Sequence, residues 1–160
     1  MGTISFKEVG IKSTEKLKND QQIAPESPPL GIMTPIREGN AVDGIFMMHR
    51  EPAAWIKDNL RNLLMTNRGD RVITANLGAN LQPLVLENMA QDDFDSIAVE
   101  RISSTVARYM PYIELQDFVS QTVGSETSGG LGRLDITITY NVKNTRIQNQ
   151  AIKISFFLGG

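Results

Sequence analysis

Few side chains in this sequence could do chemistry, and each sits in a pattern with a plainer reading. His49 is the only histidine and there is no cysteine, so nothing completes a metal site with it or activates a nucleophile. Asp92, Asp93 and Asp95 cluster closely, and hard cations do take carboxylate oxygens. The same run, however, opens a stretch of helical periodicity, where carboxylates cap free N–H groups and meet the positive end of the helix dipole. Gly129, Gly130 and Gly132 stand between two alternating stretches without a following helix or a Gly-Lys-Ser/Thr signature. A phosphate cradle therefore lacks its geometry, and a loose hairpin is expected. The residues alone predict no catalytic, cofactor or metal site.

The elements that position these residues follow from periodicity. A chain of 160 residues is one domain's worth and buries enough surface for a core. Ile45 to Met48 reads as a short strand after the break at Gly44. Glu51-Pro52 starts a helix, because proline suits the first helical position. Ile56, Leu60, Leu63 and Leu64 then form one buried face, with Trp55 beside it, either in the core or as an interface anchor. Gly69 falls where a helix end favours a left-handed residue. Val72-Ile73 is expected as a brief extended piece, and Asn76-Leu77-Gly78 turns the chain again. Leu77, Leu81, Leu84 and Val85 recur at helical spacing, so a short helix folds back on the first.

A second long helix begins in Gln91–Asp95, runs to about Met110 with Ala98, Ile102, Val106 and Tyr109 inward, and stops at Pro111. The period then changes to two. Ile113, Leu115, Val119 and Val123 share one face, interrupted by Asp117 and Gln121. After the connection at 124–132, Leu134, Ile136, Ile138, Tyr140 and Val142 alternate with polar residues, as do Ile152, Ile154, Phe156 and Leu158. The predicted fold is α+β: two main helices and a short third on an antiparallel sheet of three to four strands, a C-terminal meander, with an extended N-terminal arm.

That arm, residues 1–43, holds Pro25, Pro28, Pro29 and Pro35 among mixed charges and is too poor in apolar periodicity to fold alone. Ordering it requires a surface, expected to be a partner chain, with its own domain (44–160) as the alternative. Sixteen basic against eighteen acidic residues leave a formal charge of -2, which draws the chain to neither nucleic acid nor anionic lipid. No apolar run is long enough to span a membrane, and Lys7, Glu8 and Lys12 argue against a signal peptide. Protein partners are expected. The last strand, with only Gly159-Gly160 after it, leaves a sheet edge guarded mainly by Lys153.

One ordered set of motifs says more. A helix ending in Leu63-Leu64 leads to a T-x-R-G-x-R loop (Thr66 to Arg71), an N-x-G-x-x-L turn (Asn76 to Leu81) and a short helix ending in Leu86-Glu87-Asn88. From about Gly44 onward the chain thereby resembles the small wedge subunit of contractile phage tail baseplates, the gpW or gene-product-25-like family, related to the type VI secretion subunit TssE. The resemblance implies a structural subunit without enzymatic activity, in a sixfold baseplate assembled in the bacterial cytoplasm and carried in the virion. By the same resemblance it is expected to bind other wedge proteins and to start the tail sheath by strand addition.

Wedge contacts are implied at Arg71, Asn76, Gly78, Pro111, Tyr112 and Ile113, with Gly69 and Gly78 as structural turns. Sheath contacts are implied at Leu134, Ile136, Ile138, Ile152, Ile154 and Phe156. Relatives carry Glu-Pro-Arg-Ile after the second long helix where this chain has Met110-Pro111-Tyr112-Ile113; the charged pair is missing, and an apolar contact is expected instead. A secretion-system or tailocin baseplate is the alternative within the family. Some relatives bear a lysozyme label, for which Glu87 and Glu114 would be the carboxylate pair. With 6% aromatic residues and no evident cleft, glycan hydrolysis is a lesser alternative, as is a free-standing peptide-binding module.

Overall fold

The computed structural model describes residues 27–40, 43–87, 91–123 and 132–158, the side chains of Gln91, Asp92 and Leu158 apart. Most of the proline-rich arm, the glycines at 129 and 130, Asn88 and the Asp92 carboxylate lie outside the described residues. The chain divides into two compact units between Trp55 and Ile56.

In the first unit, β1 (Gly31–Ile32) pairs antiparallel with β2 (Met48–His49). Met33 and Gly39 donate to the carbonyls of Met47 and Ile45, both at 2.9 Å, and Glu38 bridges Phe46. The strand expected at 45–48 is therefore shorter and displaced toward His49, because residues 45–47 face an irregular partner and make isolated bonds instead of a continuous ladder. Arg50 gathers the hairpin, donating to the Ser27 carbonyl (2.6 Å) and pairing with Asp43. A Cβ on Gly31 would come within 2.8 Å of the Trp55 indole nitrogen, so Trp55 sits on backbone that only glycine leaves open. His49 is buried in this unit.

Helix α1 (Pro52–Met65) runs across the division and opens at the expected proline, with the Trp55 N–H donating to the Glu51 carbonyl (3.1 Å). In the second unit its buried face is Ile56, Leu60, Leu63 and Leu64. Short α2 (Leu81–Leu86) contributes Leu81, Leu84 and Val85, and long α3 (Gln91–Tyr109) contributes Phe94, Ala98, Ile102 and Val106. Tyr109, expected in that stripe, is half-buried, and Met110 occupies the core in its place. Truncating a fully buried leucine such as Leu60 costs about 2–5 kcal/mol, from lost transfer free energy and the cavity left behind.

Strands β3 (Ile113–Val123), β4 (Gly132–Val142) and β5 (Gln150–Leu158) form an antiparallel sheet in the order β3-β4-β5. Gly132, expected in the connection, is the first residue of β4. The helices cover one face, α3 packing against β3 and α2 against β5. Central β4 sends Leu134, Ile136, Ile138, Tyr140 and Val142 into that interface, where all are buried. Ile152 and Ile154 join them from β5.

Two features depart from the alternation. The register of β3 shifts between Leu115 and Asp117, so Gln116 is an extra residue. A β-bulge of this kind exchanges the faces of everything beyond it. Val119 and Val123, expected inward, are exposed, while Phe118 and Ser120 turn toward the helices. The other departure is Asp135, expected on the solvent side of β4, whose side chain is only 5% exposed. Arg133 and Lys153 each reach its Oδ2 at 2.8 Å, and burial of the carboxylate follows from their stems closing over it.

Candidate functional site

Two surfaces stand out: the loop joining α1 to α2, and the margins of the sheet. The loop is fixed at its base. The Ala79 and Asn80 N–H groups donate to the carbonyls of Leu63 (3.3 Å) and Thr66 (3.4 Å), and the Gly69 N–H donates to Ala75 (2.8 Å). The Asn80 carbonyl receives the Arg101 guanidinium from α3 at 2.7 Å, and its side chain accepts from the Arg68 N–H at 3.4 Å. Gly78 has φ 117, and a Cβ there would lie 2.1 Å from the Thr66 carbonyl oxygen, so neither the conformation nor the space admits a side chain. Gly69 has φ 95. It is not the end of α1, which stops at Met65; it closes the tip of the loop four residues later.

Beyond that closure the chain does not extend into a strand. Residues 71–73 bend, and Val72 and Ile73 are 100% and 96% exposed. Arg71 and Asn76 are exposed beside them, whereas Gly78 is buried. Asn76 also lines a depression of about 250 Å³ with Arg68, Ser104, Thr105, Arg108 and Tyr109. Sequence reasoning singled out Arg71 but neither Arg68 nor Arg108; the latter's spacing marks it only as a cation suited to a helix C-terminus.

The junction after α3 is largely satisfied within the chain. The Ile113 N–H donates to Met110 (2.9 Å), the Lys143 ammonium donates to the Pro111 carbonyl (3.0 Å), and the Lys143 N–H donates to Tyr112 (2.9 Å). Met110 and Ile113 are buried, so the expected contact through Ile113 is corrected: its side chain belongs to the core, and only Pro111 and Tyr112 face outward. Partial burial raises the Tyr112 phenol above its ordinary pKa, which keeps the hydroxyl a hydrogen-bond donor.

At the sheet, β4 has β3 on one side and β5 on the other. Its backbone is committed on both sides, so Leu134, Ile136 and Ile138, expected as strand-addition residues, offer no free edge. On β3 the bulge interrupts the margin, and the Phe118 N–H is taken by the Asp117 carboxylate at 2.9 Å. On β5, residues 150–158 pair with β4 without a register shift, and no other strand pairs with it among the described residues. Ile152 and Ile154 are buried beneath it and Phe156 is half-buried. Asp135 ties β4 to β5 on the outer face. Hydrogen bonds from Lys153 and Ser155, with Arg133, outweigh desolvation and hold its carboxyl down to about 2.

The carboxylates considered for glycan hydrolysis stand on different elements. Glu87 ends α2 and Glu114 lies near the start of β3; both are exposed. The depression at Glu114 is lined by Pro111, Ile113, Leu115, Lys143 and residues of α3, without Glu87. Asp95 receives the Ser120 hydroxyl from β3, a helix-to-strand tie. Among the described residues, no group of three or more His, Asp or Glu side chains is placed to hold a metal ion.

Three helices, a loop pinned at its base and a three-stranded antiparallel sheet define a small α+β protein. The chain belongs to the family of baseplate wedge protein gp25, whose model matches residues 50–147. It is a structural protein of a tail baseplate. Among solved structures, it is similar to a chain of the 6-fold symmetrised cryo-EM structure of the anti-feeding prophage baseplate. They share 23% identity over 74% of this chain and 88% of that one, with a TM-score of 0.57. It is also similar to a Geobacter sulfurreducens crystal structure described as a "putative tail lysozyme", at 23% identity over 71% and 97% of the two chains, TM-score 0.53. At that identity both likenesses establish the fold. No curated protein sequence matches.

Proposed function

We propose that this subunit binds other wedge proteins through the pinned loop and the Pro111-Tyr112 corner, and presents the outer margin of β5 to a strand of the tail sheath protein. The single observation that carries the reading is the unequal state of the sheet margins: β5 is regular and unpaired among the described residues, while β3 is bulged and capped. Backbone hydrogen bonds along β5 would give affinity, and the alternation of its side chains would set register. The assembly envisaged is a sixfold baseplate in the virion, put together in the bacterial cytoplasm; within the expected arm, Gly31–Ile32 are held by this chain's own Met48–His49. A tailocin or secretion-system baseplate is the same reading in another particle. The subunit catalyses no reaction; the exposure of Glu87 and Glu114, where a general acid needs an apolar pocket, supports this.

Successive N–H groups of a strand point alternately to its two sides, so of Lys153→Pro and Ile154→Pro, one removes a bond to β4 and the other an outward donor. The variant whose urea midpoint stays closer to the parent's should still enter baseplates yet fail to start sheath polymerisation. Normal sheath on those particles would sink the proposal. Purified protein should not clear bacterial cell walls; lysis lost in Glu87→Gln or Glu114→Gln would overturn the non-catalytic reading.

A further inference from the structure

We propose that the depression between the pinned loop and α3 is a docking site for an acidic segment of a neighbouring wedge protein. Arg68 and Arg108 receive its carboxylates, and Val72 and Ile73 receive an adjacent apolar side chain. This rests on the reading that the chain binds other wedge proteins, and it specifies the chemistry of that contact.

The argument begins with charge. Among the described residues, the cations in ion pairs are Arg50, Arg61, Arg133 and Lys153, and Arg101 is engaged with the Asn80 carbonyl. The guanidinium groups of Arg68 and Arg108 are in none of these pairs, yet both line one concavity of about 250 Å³. Its remaining polar lining includes the donors Asn76, Tyr109 and Thr105, the last only 4% exposed, while the Ser104 hydroxyl already donates to the Arg101 carbonyl at 3.1 Å. Donors without a carboxylate among them favour an anion, and the planar guanidinium fork matches a carboxylate bidentately.

One cation and the backbone carrying the other are held in place. The Arg108 guanidinium carbon lies 5.3 Å from the centre of the Tyr109 ring, a cation–π contact. The Arg68 backbone is bonded to Asn80, and the following Gly69 N–H closes the loop onto Ala75. The ordering entropy of the loop backbone is thus largely spent before any partner arrives.

The loop tip supplies the second half. The Gly69–Ala75 bond encloses Val72 and Ile73, and the residues flanking that closure, Arg68 and Asn76, line the depression. Two wholly exposed β-branched side chains on a fixed base form an apolar anchor beside a cationic pocket. Val72 and Ile73 beside the arginines call for an apolar side chain as well as carboxylates, which an acidic protein segment supplies and a nucleic-acid backbone or free phosphate does not.

The test uses the full chain and follows the arginine side-chain N–H signals by NMR. Three probes are titrated: a capped peptide alternating glutamate with isoleucine, inorganic phosphate and a short DNA duplex. The peptide should move the Arg68 and Arg108 signals. Arg68→Gln with Arg108→Gln should weaken it at least about 10-fold, and Val72→Ser with Ile73→Ser several-fold, with unchanged urea midpoints. Peptide affinity indifferent to the arginines would overturn the site, and phosphate or duplex binding as tightly as the peptide would overturn the acidic-protein assignment. In producing cells, Arg68→Glu with Arg108→Glu should block incorporation into the wedge, and lysine substitutions in a partner should restore it. Normal incorporation would refute the proposal while leaving the β5 reading intact, since that one is scored by sheath growth on particles that contain the subunit.

Discussion

Strands β3 and β5 occupy equivalent positions, each at a margin of the same three-stranded sheet, yet they meet their surroundings differently. β3 carries an extra residue at Gln116 and folds the Asp117 carboxylate back onto the Phe118 N–H. Bulges and inturned charges are the devices by which natural sheets refuse further strands. β5 has neither; it keeps step with β4 from Gln150 to Leu158. Position at an edge does not make a strand available, and local irregularity decides which edge can be used.

The strongest way to break this comparison is to treat the two margins alike. Gln121→Pro and Thr122→Pro in β3 form the counterpart of the β5 pair. The fold-sparing β3 variant should support sheath polymerisation at the parent's level while the fold-sparing β5 variant supports none; equal failure of both would show that the margins do not differ.

A second test addresses what holds β5 in register. The Asp135 carboxyl, at about 2 when folded against roughly 3.9 in an unfolded chain, is depressed by folding. Its contribution is therefore fully present above about pH 4 and is lost as the pH falls toward 2. The gap in Tm between the parent and Asp135→Asn should be clear at pH 6 and close steadily from pH 4 to pH 2. A gap independent of pH would mean that the ion pairs with Arg133 and Lys153 do not fasten the strands.

The smallest expected effect comes from unblocking β3. Asp117→Ala frees the Phe118 N–H and should lower stability by about 0.5–1 kcal/mol, the net worth of one hydrogen bond. It should also introduce concentration-dependent association in analytical ultracentrifugation. A strictly monomeric variant would show that the bulge alone guards that margin.

Much of the fold was legible because burial imposes a period. Leu60, Leu63 and Leu64 on α1, and Leu134 through Val142 on β4, are inward where spacing places them, since a helix or strand against a core must repeat its apolar residues at 3.6 or 2. The same rule failed in β3, where a single inserted residue exchanged the faces of Val119 and Phe118; no residue type announces a bulge. The candidate site was legible in part. Arg71, Asn76 and Gly78 drew notice through the ordered loop motif, whereas Arg68 and Arg108 are forty residues apart in sequence, and nothing local says that they face one cavity.

The amino-acid order by itself determined the three helices, the long strands, most of the buried stripes and the turn at Gly78, because each depends on neighbours a few residues away. Tertiary structure alone decided that β4 is enclosed, that β5 is free of the irregularity that closes β3, and that Asp135 lies beneath Arg133 and Lys153. Those outcomes depend on which strands become neighbours and in what register, a choice made by packing the whole sheet against the helices.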